Sequence, residues 1–134
     1  SCVMNRRPII CVDFDGVIRS YKSGWQGVNK VPDEPVKGAL EWLEQMLDVP
    51  DCICSMAPRS KVQIVIYSSR SKSFRGRRAM KKWFAKWMGR EFLEVLKFPI
   101  MKPPAYLTID DRAMTFKGEF PTIKEMLDFK PWYR

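Results

Sequence analysis

Two aspartates one residue apart, Asp13 and Asp15, end the apolar run Pro8 to Phe14 and are followed at once by Gly16. A second acidic pair, Asp110-Asp111, closes the run Ala105 to Ile109; Ser68 follows VQIVIY, and Lys102 stands before a proline. Four carboxylates gathered at one place repel one another once desolvated, and need protonation, basic partners or a metal. Oxygen ligands in a chain without histidine suit a hard divalent cation and point to Mg²⁺ rather than zinc. The missing histidine also removes Ser-His-Asp and Cys-His catalysis and histidine pH switching, leaving carboxylates, lysine or thiols for any chemistry. A single Asp after a strand reads better as a turn residue or helix cap. The chemical reading rests on the ordered set.

The elements that must position these residues are legible in the apolar pattern. Pro8 to Phe14 is a β-branched-rich run that stops at Asp15-Gly16, as a buried strand does, and Val62 to Tyr67 is a second such run. Val36, Ala39, Leu40, Leu43, Met46 and Leu47 fall on one helical face, with Asp33 as the expected N-cap. Met80, Trp83, Phe84, Trp87 and Met88 mark a second helix with its aromatics in the core. Phe92 to Phe98 reads as a weaker strand and Ala105 to Ile109 as a better one. Thr122 with Glu125 forms a capping-box pair opening a last helix, with Ile123, Met126 and Leu127 inward. This alternation predicts an α/β fold: a three-layer, Rossmann-like parallel sheet with helices on both faces. Ligands of such sheets sit at the carboxyl ends of the strands, where Asp13, Asp15, Ser68, Asp110 and Asp111 would meet. The proline-bearing stretch Val49 to Ser60 reads as a surface loop.

Length and composition bound the rest. The 134 residues suit a single domain spanning 1–134, and 46% apolar content can bury a core. No run approaches the roughly 20 apolar residues of a membrane span, and Ser1 to Pro8 is too polar for a signal peptide, so a soluble cytoplasmic protein without a membrane partner is expected. Cys2, Cys11, Cys52 and Cys54 lack the usual metal or redox spacing and read as free thiols, although four cysteines leave room for one bridge. Residues 1–67 carry eight basic and eight acidic side chains, whereas residues 68–134 carry sixteen and seven, so the second half holds the whole net charge of +9. Nine basic residues and no acid lie between Arg70 and Arg90, a field that attracts polyanions.

Asp13-Phe14-Asp15-Gly16-Val17 after an apolar strand resembles the first motif of the haloacid dehalogenase (HAD) superfamily of phosphatases and phosphotransferases. Ser68 resembles its second motif, Lys102 before Pro103 its third, and Asp110-Asp111 its acidic fourth. The resemblance implies a HAD-like fold and a phosphomonoester hydrolase. In it Asp13 would be the nucleophile that forms an aspartyl phosphate, and Asp15 the general acid and then base. Mg²⁺ would be held by Asp13, the Asp15 carbonyl, Asp110 and Asp111, with Ser68 and Lys102 on the phosphoryl group. Gly16, Ser69, Arg70 and Arg112 would face the substrate, Arg112 being equally able to pair with the acidic cluster. An acid at Asp15 favours phosphoryl transfer over carbon–halogen cleavage.

Spacing leaves no room for the cap domain of larger relatives, and an uncapped site admits a macromolecular end. Ser68-Ser69-Arg70, Lys82-Trp83 and Ile109-Asp110-Asp111-Arg112 are also similar to the phosphatase domain of polynucleotide kinase-phosphatases, which removes 3′ phosphates. The expected substrate is therefore a nucleotide or the end phosphate of single-stranded or duplex nucleic acid, turned over by a monomer or weak oligomer. The alternatives are a small-metabolite or phosphoprotein phosphatase, in which the basic helix face is merely solvated, and a non-catalytic polyanion-binding module.

Overall fold

The computed structural model describes residues 7–47 and 60–134. The loop expected over Val49 to Ser60 lies, except for Ser60, outside the described residues, as do Cys2, Cys52 and Cys54. Three short strands form one parallel sheet: β1 (Ile9–Val12), β2 (Gln63–Ile66) and β3 (Leu107–Ile109), in the order β2-β1-β3. Helices α1 (Ala39–Met46), α2 (Phe74–Trp87) and α3 (Ile123–Leu127) complete an α/β fold. Parallel strands cannot be joined by tight hairpins, which is why α1 stands between β1 and β2, and α2 between β2 and β3.

The register fixes where the chain leaves the sheet. Val12 is level with Ile66 on one side and Ile109 on the other, so all three strands end together. The ladder runs one step further, with the Asp13 amide donating to the Ile109 carbonyl at 2.9 Å and the Tyr67 amide to the Val12 carbonyl at 3.1 Å. Asp13, Ser68 and Asp110 are thus delivered to one edge by backbone pairing alone.

Behind that edge lies the core. Ile10, Val12, Ile64 and Ile66 alternate onto one sheet face and pack in one cluster with Leu43 of α1 and Met80, Trp83 and Phe84 of α2. Phe14 meets Trp83 edge-on at 5.1 Å and Phe84 at 5.6 Å, offset geometries that suit aromatic quadrupoles. Ser73 caps α2, its hydroxyl accepting from the Gly76 amide at 2.9 Å. A Cβ at position 76 would strike the Arg70 carbonyl, so this glycine lets the helix start close against the β2 exit loop. Trp83 and Phe84 are buried as expected; Trp87 is 40% exposed at the helix end.

Three expectations are corrected. Helix α1 begins at Ala39 behind Gly38, and Asp33 is not its cap. The backbone of residues 34–36 is instead spent on the chain after β1, through Ser20 N–H to Glu34 O and Val36 N–H to Ile18 O. The strand expected over Phe92 to Phe98 is a 3₁₀ turn, Arg90–Glu94, and only Lys97 bridges to Val65. The Gly89 turn brings Arg90 to Glu94 back on α2 before the chain reaches the sheet. Third, α3 carries both hydrogen bonds of the Thr122/Glu125 capping box, but Ile123, Met126 and Leu127 are exposed, because β3 is the sheet edge and no described element lies beyond it. No helix among the described residues is long and apolar enough to cross a membrane.

Candidate active site

Asp13, Asp110 and Asp111 converge where β1 and β3 end. One carboxylate oxygen from each lies within 4.8 Å of the others, a spacing at which all three can ligate one cation. Burial pushes the Asp13 carboxyl up to about 8, aided by a hydrogen bond shared with Asp111 and the charge of Asp110; the Phe14 amide, donating to Oδ1 at 2.8 Å, opposes this. The cluster therefore holds a proton that a cation can displace. Gly16 permits the approach: its φ of 84° lies in the left-handed region, and a Cβ there would fall on the Asp111 carboxylate and 2.9 Å from the Tyr133 ring.

The fourth carboxylate is held outside this cluster by arginines. Asp15 Oδ1 accepts from Arg19 Nε at 2.8 Å, and Arg70 grips both oxygens, Nε at 2.9 Å from Oδ2 and Nη2 at 3.0 Å from Oδ1. Both guanidiniums are fully buried. Arg19 also donates to Asp33 at 2.6 Å, and Arg70 to the carbonyls of Gly27 and Val28 at 3.0 and 2.6 Å. Asp33 is satisfied further by the Ser23 amide and hydroxyl, and these bonds hold its carboxyl below the usual range despite burial. Arg70, expected to face substrate, has its donors committed to the protein.

A cavity of about 330 Å³ opens on the cluster and is lined by Asp13, Asp15, Ser68, Ser69, Lys102 and Arg112 among others. The expected site residues thus share one space, Gly16 and Arg70 apart. The Ser68 hydroxyl accepts the Arg70 amide at 3.0 Å, and the Ser68 amide donates to Ser71 Oγ at 2.9 Å, so this serine also shapes the turn after β2. Lys97 lines a separate recess with Arg7 and Glu94, which leaves Lys102 as the cavity's lysine. The Arg112 amide donates to Asp110 at 2.9 Å, and its guanidinium reaches the Tyr133 hydroxyl at 3.4 Å.

Several lining residues were not anticipated: Tyr21, Trp25, Tyr67, Thr108 and Tyr133, with Arg19 and Asp33 behind them. Trp25 between Gly24 and Gly27 was a visible signal, a tryptophan set among glycines in the loop after β1. Tyr133 carried none; it arrives from the far end of the chain, held by Trp132, whose indole N–H donates to the Gly16 carbonyl at 2.7 Å. Cys11 lies beneath the cavity as a buried free thiol, raised in pKa chiefly by burial.

Compared with known proteins, the chain matches no family model, no curated protein and no solved structure.

Proposed function

We propose that this chain is a Mg²⁺-dependent phosphomonoester hydrolase of HAD type, a single uncapped domain with a three-layer arrangement, working through an aspartyl phosphate on Asp13. The observation that carries the reading is the meeting of Asp13, Asp110 and Asp111 at the carboxyl ends of parallel strands, in one cavity with Ser68 and Lys102. The donor set fits the metal: three carboxylates, no nitrogen or sulfur ligand among them, with Asp13 raised by burial, by its hydrogen bond with Asp111 and by the charge of Asp110 rather than by any basic partner. Bound there, Mg²⁺ would supply charge neutralisation for the phosphoryl oxygens and lower the proton affinity of Asp13.

The residues then divide the work. An Asp13 oxygen attacks phosphorus as the bond from phosphorus to the ester oxygen breaks. Lys102, the Ser68 hydroxyl and nearby backbone N–H groups hold the phosphoryl oxygens. A proton must reach the departing ester oxygen, and Asp15 is the assigned donor; to act, one of its oxygens has to leave the Arg19 and Arg70 hydrogen bonds and take up a proton from solvent before the ester bond breaks. Water, deprotonated by Asp15, then attacks phosphorus, releasing phosphate and restoring the Asp13 carboxylate.

A nucleotide or nucleic-acid end is favoured as substrate by α2. Arg75, Arg78, Lys81, Lys82 and Lys86 are exposed, and no ion pair among the described residues engages them. The reducing cytoplasm suits a buried thiol such as Cys11. Phosphate release from 3′- and 5′-phosphorylated oligonucleotides, mononucleotides and sugar phosphates, with Mg²⁺ or chelator, tests the reading. Turnover requiring both Mg²⁺ and Asp13 is expected; polyanion binding with no Mg²⁺-dependent turnover of any phosphomonoester overturns it in favour of a binding module.

A further inference from the structure

The loop between Arg19 and Asp33 is fastened at unusual cost. Arg19 donates to the Gly24 carbonyl at 3.4 Å, and Arg70 to Gly27 and Val28, so buried guanidiniums grip the backbone on both sides of Trp25. The Arg70 guanidinium also stacks on the Trp25 ring, 4.5 Å from its centroid. Despite this support the indole stays 45% exposed, and it lines the same cavity as Asp13 and Lys102. Tyr21 does not offer the same surface: it is half-buried and carries the Tyr133 ring at 5.5 Å as well as Arg19 at 5.1 Å, whereas among the described residues no second ring packs on Trp25 beside its guanidinium. A large apolar ring supported by buried guanidiniums and left partly open in the same cavity as the acidic cluster and Lys102 is arranged to receive another flat ring.

We infer that Trp25 is a specificity-determining residue that stacks a nucleobase attached next to the phosphate. This rests on the phosphatase reading of the site and narrows its substrate to a nucleoside monophosphate or a terminal nucleotide. Stacking is sequence-tolerant because every base has a π face, and preorganisation of the indole spares the ordering cost of a mobile loop.

Binding in the Asp13→Asn background with Mg²⁺ separates affinity from turnover. Adenosine monophosphate is expected to bind about tenfold tighter than ribose 5-phosphate. Trp25→Ala should bring the two Kd values together by weakening the nucleotide alone, Trp25→Phe should keep most of the preference, and nucleotide should quench fluorescence that Trp25→Phe lacks. A phosphorylated tetranucleotide compared with the monophosphate tells chain end from free nucleotide. Equal Kd values in the parent background, equal weakening of both ligands by Trp25→Ala, or phenyl phosphate binding as tightly as the nucleotide would each overturn the inference. Phosphate release by the unmodified protein is read separately: Mg²⁺-dependent turnover without base preference sinks this inference alone, whereas Trp25-dependent nucleotide binding without turnover sinks the hydrolase reading alone.

Discussion

Arg70 grips Asp15 through two nitrogens, Nε at 2.9 Å from Oδ2 and Nη2 at 3.0 Å from Oδ1, while Arg19 takes Oδ1 from the other side at 2.8 Å. Two buried cations therefore share one carboxylate, and the surplus charge is met by Asp33 on Arg19 and by backbone carbonyls on Arg70. Removing the carboxylate leaves both guanidiniums without their common partner. Asp15→Ala should cost about 3–5 kcal/mol of folding stability in urea titration, the range for breaking a buried charge pair. Asp13→Asn, which relieves crowding among three acids, should leave stability unchanged or raised at pH 8 in the absence of metal.

Asp13 also sets a pH dependence. Its carboxyl is raised from 3.8 to about 8 on folding, so between those values the folded chain holds a proton that the unfolded chain has released. Stability then falls as pH rises: the contribution is fully present below about 4, erodes through neutrality and is lost by about pH 8. Thermal melts in chelator from pH 5 to 8 should show a declining Tm, and Asp13→Asn should flatten the slope. Mg²⁺ must displace that proton, so its affinity, read by calorimetry, should rise with pH over the same interval.

Much of this site was legible because strand ends are legible. β1 and β2 are short β-branched runs, and parallel pairing brings whatever follows them to one edge, so Asp13, Ser68 and Asp110 needed no tertiary knowledge. Arg70 opens a basic run whose later members, the half-buried Arg77 apart, are exposed, and only the fold shows that its own guanidinium turns inward to Asp15. The start of α1 was read too early because the apolar period includes Val36, whereas the Val36 amide is taken by Ile18. Tyr133 was invisible for a simpler reason: its place depends on the Trp132 indole hydrogen bond to Gly16 together with the Tyr21 ring and Arg112, and no local pattern encodes a contact that long-range.

Gly16 is where that long-range contact and the acidic cluster touch. A methyl group at this position meets the Asp111 carboxylate and the Tyr133 ring, and the positive φ adds backbone strain. Gly16→Ala should destabilise the chain by about 1–3 kcal/mol. It should also weaken Mg²⁺ binding, because Asp111 has to move. Gly118→Ala, a glycine of positive φ with open space around it, supplies the control: strain without displacement of a carboxylate, hence unchanged metal affinity.

The basic face of α2 predicts a salt dependence that a merely solvated helix would not have. Arg75, Arg78 and Lys82 are exposed on a helix without an acidic residue. If they neutralise phosphates, each releases about 0.9 counterion on binding duplex DNA and about 0.7 on single strands. Replacing all three with glutamine should lower the slope of log Kd against log salt by about 2 to 3. The same variant should hydrolyse a mononucleotide as the unmodified protein does, because these side chains lie outside the cavity. Fluorescence anisotropy of a labelled 3′-phosphorylated oligonucleotide across a salt series reads the slope directly, and an unchanged slope would return α2 to an ordinary solvated face.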